Sequence, residues 1–127
     1  MKHSQEQVRK FNDERNWNVL WALKDQLLNV VEETGEAWNI IKWLQGKELE
    51  EAVAKNKEEF QDFIGDMLYA TLKIANLTNV DAEQAIKAKM EECEKRFPLS
   101  ETKGKHANIK SGGIDLKYSN QNTNQKQ

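Results

Sequence analysis

Cysteine, proline and histidine are nearly missing from this 127-residue chain. Cys93 is its only cysteine, Pro98 its only proline, and His3 and His106 its only histidines. A single cysteine excludes an internal disulfide, and a chain of this kind is expected in the cytoplasm. Cys93 reads as a small apolar packing residue with no chemical role. Two histidines at opposite ends exclude the Glu-x-x-His pairs with which helix bundles hold redox iron. Of six glycines, three (Gly104, Gly112, Gly113) fall near the C-terminus, so the earlier part is poor in breakers and should be mostly helical. No apolar run approaches the roughly 18 residues that a membrane span needs. The opening MKHSQEQVRK lacks the apolar segment of a signal peptide, and no membrane partner is expected.

What is present is charge. Charged residues are 31% of the chain against 38% hydrophobic, which suits one soluble domain with one core and long charged helices. The net charge of −2 is uneven. After Pro98 stand five lysines and two acids, a surplus of three positive charges, so the body before it carries −5. An acidic body argues against a nucleic-acid polymer as partner. It leaves room for a small phosphorylated ligand brought in with a metal ion.

The periodicity predicts four helices. Ser4 with Gln7 has capping-box spacing and opens a first helix over about 5–14. A second runs from about Val19 to Gln45, its inward positions Leu20, Leu23, Leu27, Val30, Val31, Thr34, Trp38 and Ile41 stepping by threes and fours, with Gly46 as its stop. KELEEAVAKNK reads as a charged connector with at most a short helical turn. A third helix spans about Lys57–Leu77. Asp81 with Gln84 repeats the capping-box spacing and opens a fourth over Ala82–Arg96, which Pro98 closes. Residues 99–127 are polar and without periodicity, and read as extended or disordered.

The informative stretches are VVEETGEAW (30–38) and QDFIGDML (61–68). Each places a glycine just before an acid, with another acid four residues before that one: Glu32/Glu36 around Gly35, and Asp62/Asp66 around Gly65. Glu33/Glu36 and Glu59/Asp62 are further pairs at helical spacing, and residues three or four apart share a helix face. Apolar neighbours on both sides mean that these faces cannot all point to water. Like charges in a partly dry site repel unless protons or a cation neutralise them. Oxygen-only donors favour a hard ion, Mg²⁺ or Mn²⁺. Glycine inside a helix costs roughly 1 kcal/mol relative to alanine; close approach of the two helices at Gly35 and Gly65, or of a ligand, is a reason to accept it. A Glu-rich face alone is more often simply solvated. A second acidic cluster with the same glycine spacing is what lifts the metal reading above that.

FNDERNW, VVEETGEAWNIIKW, DFIGDMLYATLKIANLTNVD and AIKAKMEECEKRFP together, in order and spacing over about residues 8–98, resemble the all-α nucleoside triphosphate pyrophosphohydrolases of the MazG-like superfamily, most closely the dCTP pyrophosphatase-like branch. The resemblance implies an all-α, four-helix MazG-like bundle over 1–98, followed here by the polar, irregular tail of 99–127. It implies a homodimer or homotetramer. It implies Mg²⁺-dependent hydrolysis of a nucleoside triphosphate (a dNTP, dCTP-like or modified) to the monophosphate and pyrophosphate, as nucleotide-pool house-cleaning. By motif position Glu33 and Glu36 match the glutamates of EExxE, and Asp66 the aspartate of ExxD. Trp17 and Trp43 match aromatic positions of the base pocket. Lys89 and Arg96 lie where basic side chains meet phosphate.

The sequence also departs from that pattern. The ExxD glutamate position holds Phe63; Asp62, one residue earlier and on roughly the face of Asp66, replaces it, with Glu59/Asp62 as an alternative shifted pair. Trp21 stands where a histidine is usual and Ala70 where a tyrosine is. The expected site is therefore Glu33, Glu36, Asp62 and Asp66 on Mg²⁺, Glu32 and Glu33 handling the attacking water, Trp17 and Trp43 at the base, and Lys89 and Arg96 at phosphate. Trp38 is expected in a core or dimer contact. The rivals are a catalytically silent helical dimerisation module, which the phenylalanine at 63 favours, and a nucleotide sensor that hardly hydrolyses.

Overall fold

The scarcity of breakers carries through into the backbone. A computed structural model of the chain describes residues 1–118, and every regular element among them is helical, as expected of an all-α fold. The elements are α1 (Lys2–Asp13), α2 (Ala22–Ile41), α3 (Gly46–Lys55), α4 (Lys57–Leu77), α5 (Ala82–Arg96), the short α6 (Leu99–Thr102) and a 3₁₀ turn at Ile109–Ser111.

α4 and α5 have the predicted bounds; the other elements depart for local reasons. α1 begins at Lys2 with Met1 as N-cap, so Ser4 lies inside the helix and the expected capping box is not used. α2 starts three residues later than expected. Asn16 takes a left-handed φ of 55°, and the Asn18 amide donates to Arg9 O and Asp13 Oδ1, which keeps the 14–20 segment folded back on the end of α1. Gly46, the expected stop of the second helix, instead opens α3 with φ +54° after an extended Gln45. The expected connector is a ten-residue helix. Its Glu, Lys and Ala content favours helix, and Leu49 and Ala52 give it one half-buried face.

The chain divides into two compact units, Met1–Ala82 and the part from Glu83 onward. In the first, α4 is the central helix: α2 packs along it most extensively, α1 next. Leu72 and Ala75 of α4 form a small core with Ala82 and Val8. Polar clips close it. The Gln5 side chain donates to Val80 O (2.8 Å) and accepts from Ala82 N–H (2.9 Å), and Asn76 donates to Gln5 O (3.2 Å).

The long apolar stripe predicted for the second helix is only half used. Leu23, Val30 and Ile41 are partly covered, while Leu20, Leu27, Val31 and Trp38 lie open, as do Trp21 and Leu28 beside them. α2 carries apolar residues on more than one face, and α4 covers one face only.

In the second unit the expected irregular tail is partly ordered. Beyond α6 the backbone folds on itself through Gly113 N–H to Asn108 O and Ile114 N–H to His106 O. Asp115 accepts from Arg96 Nε (3.2 Å) and Nη2 (2.5 Å), tying this segment to the end of α5. The part of the predicted tail from 119 to 127 lies outside the described residues.

Candidate active site: an acidic groove between α2 and α4

Ile40 of α2 shares a cavity with Glu59 of α4, and Gln26 shares another with Ala70, so the two helices run antiparallel. The residues of α2 that face α4 are Gln26, Val30, Glu33, Ala37 and Ile40. They step by three and four, hence one stripe of the helix. From α4 the facing residues are Glu59, Asp62, Phe63, Asp66, Met67 and Ala70. Glu33 therefore sits mid-way along the contact with acids opposite it.

Two cavities flank Glu33. One, of about 260 Å³, is lined by Glu33, Glu36, Glu59, Asp62 and Phe63 among others. The other, of about 280 Å³, is lined by Glu33, Asp66, Gln26, Asn29, Tyr69 and Ala70 among others. An open recess beside them includes Asp62, Gly65 and Asp66. The structure thus brings Glu33, Glu36, Asp62 and Asp66 to one groove. Glu32 is exposed and lines neither flanking cavity, though its charge reaches Glu33.

The electrostatics follow from that placement. Partial burial pushes the Glu33 carboxyl above its ordinary value, and the charges of Glu36, Asp66, Asp62 and Glu32 push it further the same way. All four neighbours disfavour a second negative charge between them. Among the described residues no three acidic, histidine or cysteine side chains stand close enough together to form a ready metal cage. The carboxylates border the groove with open space between them.

Two expectations need correcting. Gly35 and Gly65 are not where the helices meet: a Cβ on either would touch nothing within 4 Å. The apolar residues that the two helices turn to the space between them are Ala37, Ile40 and Phe63, and Gly65 borders the open recess. Nor do Trp17 and Trp43 flank a common space within one chain. They stand beyond opposite ends of the 20-residue α2, a separation of about 30 Å at 1.5 Å per residue. Trp17 packs edge-on against Phe11, ring centroids 6.0 Å apart, near the Gln26–Ala70 end of the groove. Trp43 is 82% exposed, with Lys42 over its ring at 5.5 Å from the centroid. Trp38 is exposed too and belongs to no core among the described residues.

Lys89 and Arg96 lie in the second unit, and both are engaged. Lys89 Nζ meets Glu92 at 2.5 Å, and Arg96 bonds Asp115 and Glu92. The bond from Lys89 holds the Glu92 carboxyl below its usual range, and that from Arg96 does the same for Asp115.

Sequence reasoning overlooked Gln26, Asn29 and Tyr69, which line the cavity of Glu33 and Asp66. The signal was available: Gln26 and Asn29 are seven and four residues before Glu33, and Tyr69 is three after Asp66, all helical spacings from acids already singled out.

The chain is similar to the crystal structure, at 1.80 Å, of a pyrophosphatase from Archaeoglobus fulgidus DSM 4304. The TM-score is 0.64 at 25% sequence identity, covering 77% of this chain and 92% of that one. No protein-family model matches the sequence, and no curated protein does.

Proposed function

We propose that the chain is a pyrophosphate-releasing hydrolase that cleaves a nucleoside triphosphate, in particular a dNTP, to the monophosphate and pyrophosphate with Mg²⁺ or Mn²⁺. The observation that carries this reading is Glu33, set between two helices with its carboxyl raised by burial and by four neighbouring acids. Such an arrangement is costly for structure alone. The likeness to a solved pyrophosphatase supports the hydrolase class.

The residues fit a hard divalent ion by their chemistry: carboxylate oxygens only, from two helices, already within one another's field. Glu33, Glu36, Asp62 and Asp66 would hold it, and it would supply charge neutralisation for the phosphates and a more acidic bound water. Glu33, whose carboxyl is raised by burial and by its acidic neighbours, suits taking up the proton that the attacking water loses. Glu32 acts on Glu33 by its charge. The acidic wall keeps an uncompensated triphosphate out of the groove. Trp17 offers a face on which a base can stack. Lys89 and Arg96 are left out of this reading because their charges are already compensated.

The open apolar surface of α2 supports a homodimer or homotetramer. In such an assembly Trp43 of a second copy can reach a base pocket that Trp43 of the same copy cannot. Incubation of the purified chain with a panel of dNTPs and Mg²⁺, assayed for pyrophosphate and monophosphate, tests the activity.

One observation favours a second reading. Phe63, where the resemblance expects a glutamate, lines the cavity of Glu33 and Glu36. A catalytically silent nucleotide-binding or dimerisation module would follow if the whole panel is left intact while nucleotide binding persists.

A further inference from the structure

Lys73 is used by nothing described so far. It lies on α4 with only 5% of the residue's surface accessible. Among the described residues none forms a hydrogen bond or ion pair with it; its one neighbour of note is the Trp17 ring, with Nζ 6.0 Å from the centroid. Burial pulls its ammonium below the usual lysine value. A buried cation without a counter-charge is expensive. The ammonium is not sealed off: the unpartnered side-chain atoms cut off from solvent are Asn18 Oδ1 and Asn76 Oδ1 among the described residues, so Lys73 Nζ stays open to an acceptor supplied from outside the chain.

Its position says which acceptor. Asp66, Ala70 and Lys73 step by four and three along one stripe of α4, the stripe that faces the groove. Lys73 is seven residues beyond Asp66, about 10.5 Å along the axis at 1.5 Å per residue. The groove thus reads in order: carboxylates, then the amides of Gln26 and Asn29 with Tyr69, then Trp17 beside Lys73. A nucleotide laid along it with its phosphates at the acids sets the base at Trp17. The base edge most distant from the sugar, pyrimidine position 4 or purine position 6, then turns to Lys73. An ammonium has donors and no acceptor. It can bond a carbonyl oxygen at that edge and only crowds an amino group there.

We propose that Lys73 is a specificity-determining residue that selects bases with a carbonyl at pyrimidine position 4 or purine position 6 over those with an amino group. This rests on the nucleotide reading above and narrows its substrate class. It turns the preference away from the cytosine type that the resemblance implies.

The test is calorimetric binding of non-hydrolysable α,β-imido analogues to the full-length protein with Mg²⁺. dUTP is compared with dCTP and dITP with dATP, for wild type and Lys73→Met. The expected result is wild-type preference for the carbonyl member of each pair by at least about tenfold, since a buried donor left unmatched discriminates strongly. In Lys73→Met the members of each pair should bind within about twofold, by loss of affinity for the carbonyl member, with helical content unchanged by circular dichroism. Equal binding of the pairs by wild type, or a preference that survives in Lys73→Met, overturns the role of Lys73 while leaving the nucleotide site standing. Absence of binding for all four analogues overturns both.

Discussion

The Tyr69 hydroxyl donates a hydrogen bond to Asn12 Oδ1 at 3.2 Å, joining α4 to α1 across 57 positions of sequence. Asn12 is fully buried. Its amide donates to Val8 O, and its own carbonyl accepts the backbone N–H groups of Arg15 and Trp17. One residue therefore ends α1, fixes the turn that presents Trp17, and docks that turn on the helix that carries Asp62 and Asp66. Tyr69 also lines the cavity of Glu33 and Asp66. The aromatic and acidic parts of the groove are mechanically linked at this point.

Loss of that link should be graded. Tyr69→Phe removes one hydrogen bond and is expected to cost about 1 kcal/mol. Asn12→Ala leaves the Tyr69 hydroxyl unmatched, and also opens a void, so about 2–3 kcal/mol is expected. Urea unfolding followed by circular dichroism measures both. Equal midpoints for wild type and Asn12→Ala would show that the link contributes nothing.

Glu36→Gln and Asp66→Asn keep side-chain volume and remove charge from the groove. If these carboxylates hold the metal on which hydrolysis depends, each should lower pyrophosphate release by more than about 100-fold, the upper range for loss of groups that merely support a ligand. Folding should be unharmed, because less like charge is then crowded between α2 and α4. An active, Mg²⁺-dependent Glu36→Gln enzyme contradicts the assignment.

The sequence disclosed the acids better than it disclosed the faces. α4 and α5 were readable because strong periodicity ends at clear breaks: NLTNV before Asp81 and Pro98 after Arg96. Glu33 stood out by its place in EExxE and its spacing from Glu36, but the echoed pair was Glu32/Glu36, so that it is Glu33 which faces Asp62 and Asp66 was not readable from the echo. Which side of α2 turns inward was not readable either. Hydrophobicity nominates the side of Leu20, Val31 and Trp38, whereas α4 covers the side of Gln26, Glu33 and Ala37. An inward stripe holding a glutamine and a glutamate defeats a rule that puts the most apolar face inside. α3 was missed because its charged composition resembles a linker, and the glycines misled because an open recess and a close contact leave the same mark in sequence.

Glu33 sets a pH dependence with a definite sign. Its folded-state carboxyl is raised above the ordinary 4.5, so between that value and the raised one the native state holds more proton than the unfolded state. Stability from this group then falls as pH rises through that window and returns as pH falls. In metal-free buffer Glu33→Gln should melt higher than wild type at neutral pH, with the gap closing on acidification toward 4.5. Added Mg²⁺ should raise the melting temperature of wild type but not of Glu33→Gln. A gap that widens on acidification has the wrong sign for this arrangement.

Asp115 predicts the opposite slope. The Arg96 guanidinium holds its carboxyl below the ordinary 3.8, so the stabilisation is complete above that value and is lost as pH falls through the depressed one. Asp115→Asn should loosen residues 109–118 at neutral pH, read as faster amide exchange there, while amides of α2 and α4 keep their protection. Unchanged exchange in 109–118 would mean that the pair with Arg96 does not hold this segment.

Trp17 and Trp43 make the assembly testable through the site itself. Trp21, Leu28 and Val31 leave one apolar side of α2 and its N-terminus open, the kind of patch that marks an interaction surface. Wild type should therefore sediment as a dimer or larger. Val31→Lys, a substitution at an open position that costs an isolated chain within about 0.5 kcal/mol, should shift it to monomer. Lysine is chosen so that the acidic groove gains no further negative charge. If each base pocket takes Trp17 from one copy and Trp43 from another, Trp17→Ala and Trp43→Ala should each be impaired alone. Mixing and reassembling them as a dimer makes half the population hybrid, with one of two pockets intact, so about a quarter of wild-type activity should return. A monomeric wild type, or a mixture no more active than its parents, would confine the pocket to a single chain and leave Trp43 outside it.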